Sequence, residues 1–201
     1  MIKNKKIISE SQIIKKYLRK LNFNKQESLQ FKNDGAYLKS KKDQDIVVTA
    51  DGIIEGVDFF KDDAPESIAQ KIITYNLSDL SSMGAIPYCY TLCLSLSFAI
   101  DELWIKKFTN KLFFLQKKHN IFLLGGDIGK SNQINISANF YGYVKKNCII
   151  KRNSTKIGDS IWITGNIGQS TIGLLAKQKK ISLSKKSKKY FINKYLFPQP
   201  C

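Results

Sequence analysis

The segment from Pro65 to Pro87, PESIAQKIITYNLSDLSSMGAIP, constrains the fold most, because it reads as a long amphipathic helix delivered by a turn into whatever follows. Proline is favoured at a first helical position, and Asp62, Asp63 and Glu66 place negative charge at the positive end of the helix dipole. At about 100° per residue, Ile68, Ala69, Ile72, Ile73, Leu77, Leu80 and Met83 fall within one half of the wheel, and Lys71, Thr74, Ser78 and Ser82 on the other. Such a helix needs a second layer to cover it. Asn76 lies near the centre of the apolar half and Asp79 at its edge. A buried amide or carboxylate without a partner is costly, so each needs something specific to bind. For Asp79 that partner is solvent, a backbone amide or a ligand, and the helix alone does not choose.

The flanking segments supply the second layer. Residues 44–51 (QDIVVTAD) and 88–98 (YCYTLCLSLSF) alternate as strands, the latter with Tyr88, Tyr90, Leu92, Leu94 and Leu96 on one face. Asp101 and Glu102 open a second helix that packs through Leu103, Phe108, Leu112 and Leu115 and ends near His119-Asn120. A short buried strand, residues 121–124, runs into Gly125-Gly126-Asp127, and a longer one spans 133–146. Upstream, Ser9 and Gln12 form a capping-box pattern before a basic helix through Leu21, and residues 22–33 read as a loop. Helix and strand interleave, which predicts a mixed α/β domain over residues 1–150. After a polar stretch at 151–160, residues 161–177 read as strand, Gly-rich turn and helix, the start of a second α/β domain over 151–201. One strand and two helices cannot close a core, so the chain is expected to stop inside that domain.

The formal charge is +17, from 33 basic and 16 acidic residues, yet Arg19 and Arg152 are the only arginines and the lysines run from end to end. That spread, with the abundance of Ile, Asn, Phe and Tyr, points to a chain-wide compositional bias rather than a nucleic-acid face. Cys89, Cys93, Cys148 and Cys201 contain no C-x-x-C pair and His119 is the single histidine, which argues against zinc and against a disulfide framework. With no apolar h-region after the basic N-terminus and no long apolar run, a cytoplasmic protein without a membrane partner is expected.

Four aspartates sit where the backbone presents rather than buries a side chain. Asp34 and Asp51 precede glycines, Asp79 lies on the helix edge and Asp127 follows two glycines at a strand end. Oxygen donors without histidine or cysteine suit Mg²⁺, although any one Asp-Gly pair also reads as an ordinary turn. The turn from Thr164 to Ser170 (TGNIGQS) can cradle a phosphate at a helix N-terminus or serve simply as a tight turn; it is neither a Walker A loop nor G-x-G-x-x-G. Arg152 offers a bidentate phosphate contact or a surface ion pair.

Residues 47–59 (VVTADGIIEGVDF), 76–87 (NLSDLSSMGAIP), 123–128 (LLGGDI), Arg152 and 158–174 (GDSIWITGNIGQSTIGL) resemble, in order and spacing, the thiamine-monophosphate kinase family of the aminoimidazole ribonucleotide synthetase-like superfamily. The resemblance implies an N-terminal α/β domain that joins a second subunit in a barrel, a C-terminal domain that closes over the substrate, and ATP-dependent phosphorylation of thiamine monophosphate to the diphosphate. It implies Mg²⁺ ligands at Asp34, Thr49, Asp51, Asp79 and Asp127, ATP contacts at Gly126 and Arg152, a substrate contact at Asp58, and no catalytic acid or base. Asn76 would brace the same region.

Several positions depart from the family pattern. Gly-Asp-Asp becomes Lys32-Asn33-Asp34, Thr-Asp becomes Ala50-Asp51, the histidine of E-G-V-H-F becomes Asp58, and Gly-Gly-Asp-Thr ends in Ile128. The Asp-x-Ser-Asp-Gly motif of the family's C-terminal domain is not present, so by itself the chain is expected to be weakly stable and inactive. The alternatives are a sister ATP-using enzyme of the superfamily, a non-catalytic remnant, and a basic nucleic-acid-binding protein.

Overall fold

The computed structural model describes residues 9–199. Four strands, β1 (Gln44–Ile54), β2 (Ile86–Ser97), β3 (Phe122–Ser131) and β4 (Asn135–Lys145), form one sheet in the order β1-β4-β2-β3. β4 runs antiparallel to β1 and β2, and β2 and β3 are parallel. A parallel pair needs a crossover, and the helix Glu102–His119 supplies it.

Of the helices, α1 (Glu10–Ile13) opens with the Ser9–Gln12 capping box, both hydrogen bonds of which form. The chain continues helically but irregularly to Asn22 and turns at Phe23, with φ 49°. The stretch expected to be a loop holds an irregular helical turn, Gln26–Phe31. α2 (Pro65–Ser82) begins on Pro65 as its sequence requires. α3 (Glu102–His119) is capped by Asp101, whose carboxylate accepts from the Trp104 N–H, and ends on Asn120 in the left-handed region. α2 and α3 pack on one face of the sheet, and their apolar sides join Val47, Ile53, Leu92, Leu94, Leu96, Ile136, Ala138 and Phe140 in one core, with Tyr90 stacked on Phe140.

Three expectations need correction. Leu103, expected to pack α3 with Phe108, Leu112 and Leu115, is exposed. Tyr88 does not share the face of Tyr90: the β2–β4 register shifts between Pro87 and Cys89, and Tyr88 packs with Cys89, Phe122 and Leu124 on the opposite side. Residues 161–164 form no strand; Ile161, Trp162 and Ile163 are exposed, because a strand exists only by pairing and no sheet edge among the described residues reaches them. The two helices that follow, α4 (Gln169–Lys177) and α5 (Lys185–Leu196), do form and pack on each other so closely that a Cβ at Gly173 would lie 2.0 Å from the Phe191 carbonyl.

This helix pair lies against the outer side of α2, where Gln70 Nε2 donates to the Pro198 carbonyl. Lys71 and Thr74, on the polar half of the wheel, are therefore buried. The other face of the sheet leaves Ile46 and Val48 exposed. Cys201 lies outside the described residues, and Cys89, Cys93 and Cys148 are free thiols.

Candidate functional site

β1 and α2 converge on an acidic edge. Along β1, Val47, Thr49 and Ile53 are buried at alternate positions, which turns Asp51 toward α2, and Asp79 lies in the last turn of that helix. Burial, and then the neighbouring carboxylates of Asp79 and Asp58, hold the Asp51 carboxyl above its ordinary range. Burial and the charges of Asp58 and Asp51 likewise raise the Tyr75 phenol. Among the described residues, Asp51, Asp58 and Asp79 enter none of the ion pairs, in a chain carrying 33 basic groups.

Behind this edge stands the Thr49–Asn76 pair. The Thr49 hydroxyl donates to Asn76 Oδ1 at 3.1 Å, and Asn76 Nδ2 donates to the Ile72 carbonyl, all buried. The amide in the apolar stripe thus fastens α2 to β1 beside Asp51, and the Thr49 hydroxyl is already engaged there.

Asp58 sits in the turn that follows β1. Gly56 takes φ 86°, Gly56 N–H donates to the Phe59 carbonyl at 2.7 Å, and the Val57 and Asp58 N–H groups donate to the Ile54 carbonyl. The Asp58 carboxylate, at the place of the family histidine, accepts from the Ile54 N–H at 2.8 Å. Its carbonyl accepts from Lys71 Nζ at 2.7 Å and the Tyr195 hydroxyl at 3.1 Å.

Asp34, Gly126 and Asp127 meet elsewhere, around a cavity of about 570 Å³ also lined by Ile14, Phe31, Leu38, Leu124 and Tyr141. Asp127 pairs with Cys93, Cys93 with Ser137 and Ser137 with Gly52, so Asp127 and the end of β1 share one row of the sheet, about 14 Å apart at strand spacing. Ile128 packs on the core, which turns Asp127 to the opposite face from Asp51. A Cβ on Gly126 would lie 1.9 Å from the Leu92 carbonyl, so β2 and β3 can approach here only through glycine. Glu27, buried and joined to the Tyr88 hydroxyl at 2.6 Å, holds the segment that carries Asp34, and its carbonyl accepts from the Tyr37 N–H. Hydrogen bonding to Tyr88 is the leading cause that lowers the Glu27 carboxyl.

The five expected metal ligands therefore fall into two groups, Thr49, Asp51 and Asp79 at the acidic edge and Asp34 and Asp127 at the cavity. Arg152 is exposed in a short turn, two residues after Ile150, whose N–H donates to the Met83 carbonyl just past the end of α2. Among the described residues no three His, Cys, Asp or Glu side chains converge on one point. Lys71, Tyr195 and Glu27 have no motif in the sequence; the one signal for Lys71 was its place on a helix whose polar half is short.

A four-stranded mixed sheet with two helices on one face and aspartates at its strand ends defines a recognisable class. Residues 32–144 match the model of the AIR synthase related protein, N-terminal domain, and the chain belongs to that family. Within it, the chain is similar to the thiamine-monophosphate kinases of Buchnera aphidicola subsp. Acyrthosiphon pisum (strain APS), 34% identical over 84% of this chain and 52% of that protein, and of Buchnera aphidicola subsp. Schizaphis graminum (strain Sg), 35% identical over 96% and 59%. Among solved structures, thiamine-monophosphate kinase from Stenotrophomonas maltophilia K279a superposes with a TM-score of 0.76 at 31% identity, covering 84% of this chain and 54% of that one. AaThiL complexed with AMPPCP and TMP shares the fold, with a TM-score of 0.74 at 24% identity over 83% and 53%. The chain spans little more than half the length of these relatives.

Proposed function

We propose that the chain is the N-terminal part of a kinase that transfers the γ-phosphoryl group of ATP to thiamine monophosphate, giving thiamine diphosphate, in a cytoplasmic homodimer. Residues 1–150 form the ATP- and Mg²⁺-binding and dimerisation domain, and residues 151–201 begin the domain that covers the substrate. The observation that carries this reading is the acidic Asp51–Asp58–Asp79 edge, which enters no ion pair among the described residues of a strongly basic protein. The relatives' names, and the nucleotide analogue and TMP bound to AaThiL, supply the reaction.

Hard oxygen donors fit Mg²⁺, which keeps several waters and binds through one or two carboxylates together with substrate phosphates, so no all-protein cage is needed. Asp51 and Asp79, with Thr49 behind them, would hold ions at one edge, and Asp34 and Asp127 at the cavity. Bound ions would neutralise two polyanions and align them for in-line transfer. The acceptor is a phosphate already ionised at neutral pH, so the protein need remove no proton, in keeping with the absence of a histidine from the motifs. Gly126, beside Asp127 on the cavity, would contact the ATP phosphates, and Arg152, exposed in its short turn, would reach the nucleotide. The exposed Ile46 and Val48 on the free sheet face suit a second subunit.

The test is phosphate transfer from ATP to thiamine monophosphate with Mg²⁺, measured for the chain alone and for the chain completed with the C-terminal half of a Buchnera relative. Product from the completed chain that disappears in Asp79→Asn supports both the reaction and the metal role. A folded, ATP-binding completed chain that forms no thiamine diphosphate refutes the assignment of the acceptor.

A further inference from the structure

Lys71 is a fully buried lysine in the middle of α2. Burying an ammonium is costly, and an apolar side chain of the same length would fill the space without that cost. What the ammonium adds is direction. Its Nζ donates to the Asp58 carbonyl at 2.7 Å, lies 3.9 Å from the Asp63 carboxylate and sits 3.6 Å from the centre of the Tyr195 ring. A carbonyl oxygen has two lone pairs, and both at Asp58 are used, one by Lys71 from α2 and one by the Tyr195 hydroxyl from α5. Lys177 on α4 closes the far side by pairing with Asp62 at 2.8 Å and Asp63 at 2.9 Å.

Around Asp58 the assignment is nearly complete. Its N–H donates to the Ile54 carbonyl, its Oδ2 accepts from the Ile54 N–H and its carbonyl carries two donors; among the described residues, Oδ1 accepts nothing. With Oδ2 held by the backbone and Asp58 only half-buried, Oδ1 is the oxygen left to take a ligand. A carboxylate repels the phosphates of either substrate, so its natural partner is the amino or cationic ring end of thiamine monophosphate.

We propose that Lys71 is a positioning residue that, with Tyr195, clamps the Asp58 carbonyl so that Asp58 Oδ1 meets the thiamine end of the acceptor. The proposal rests on the assignment of thiamine monophosphate as substrate, and it makes the docking of α5 a condition of acceptor binding rather than of ATP binding.

Hydrogen exchange of the Val57 and Asp58 amides, together with steady-state kinetics, tests it in the chain completed with the C-terminal half of a Buchnera relative, carrying the parent sequence, Lys71→Met or Tyr195→Phe. Both variants should exchange these two amides at least about tenfold faster while α3 and β2 are unchanged. Both should also raise KM for thiamine monophosphate about tenfold, with KM for ATP and kcat within about twofold of the parent. A purely structural lysine would not separate the two substrates. Parental exchange at Val57 and Asp58 overturns the clamp, and a loosened turn with an unchanged KM for thiamine monophosphate overturns its role in binding. If Lys71→Met does not fold, Tyr195→Phe decides, since it removes one hydroxyl and keeps the ring. If the parent makes no thiamine diphosphate, the functional assignment fails by itself, and the exchange rates still support or refute the clamp.

Discussion

Replacing Lys71 with methionine should change how stability depends on pH, in a direction opposite to that of most alkaline titrations. Burial is the leading cause that lowers the Lys71 ammonium from its ordinary 10.5 to about 8; the nearby charges of Asp63 and Asp58 pull it back up and Lys177 pushes it down. Below pH 8 the lysine is charged in both folded and unfolded chains, and the cost of burying it is present in full. Between about 8 and 10.5 the folded protein has lost that proton while the unfolded chain keeps it, so the unfolded state binds more protons and stability must rise with pH. Integrating those two titrations from pH 8 to pH 10 gives a gain of about 2 kcal/mol attributable to Lys71.

Other groups work against it over the same range. Burial pushes the Cys89 thiol up to about 12 and raises the phenols of Tyr88, Tyr90 and Tyr195, so each of these stabilises the protonated fold and loses stability as the unfolded chain ionises. The measurement is therefore a difference. Urea unfolding of the parent and of Lys71→Met at pH 8, 9 and 10 should show the parent gaining about 2 kcal/mol relative to the variant across the series. Parallel curves for the two proteins would refute the reasoning, since they would mean that Lys71 titrates alike folded and unfolded.

Two further outcomes follow from the site. Gly126→Ala should lower stability by about 3 kcal/mol or more, because its Cβ would stand 1.9 Å from a backbone oxygen that cannot step aside; thermal melting reads this, and an unshifted Tm would refute the close approach of β2 and β3. Asn76→Leu strands the buried Thr49 hydroxyl and should cost about 1–3 kcal/mol in urea unfolding, most of it recovered by adding Thr49→Val; failure of the second change to recover stability would mean that Asn76 does more than hold Thr49.

The elements that could be read from the chain were those whose signals are local. Pro65 before a run with helical apolar spacing, Asp101 at an N-cap and Asn120 at a left-handed C-cap each act within a few residues, and α2 and α3 begin and end where those signals stand. The failures share a cause as well. Residues 161–164 have a strand's composition, but pairing is a property of the partner edge, and the structure offers them none. Tyr88 fits the alternation of β2, yet an irregularity beside Pro87 sends it to the other face, where Glu27 receives its hydroxyl.

Lys71 is the sharpest case. A wheel sorts residues by hydropathy and so sends a lysine to water; what buries it is Tyr195, contributed by a helix more than a hundred positions further on. The same limit governs the acidic edge. Asp51 alone reads as a turn residue and Asp79 as an edge carboxylate, and only the packing of α2 on β1, with Asn76 on Thr49, brings Asp79 close enough to add to the burial that raises the Asp51 carboxyl. Asn76 and Asp79 thus break the apolar stripe for linked reasons: the amide sets the distance between helix and strand, and that distance gives the carboxylate its acidic neighbour.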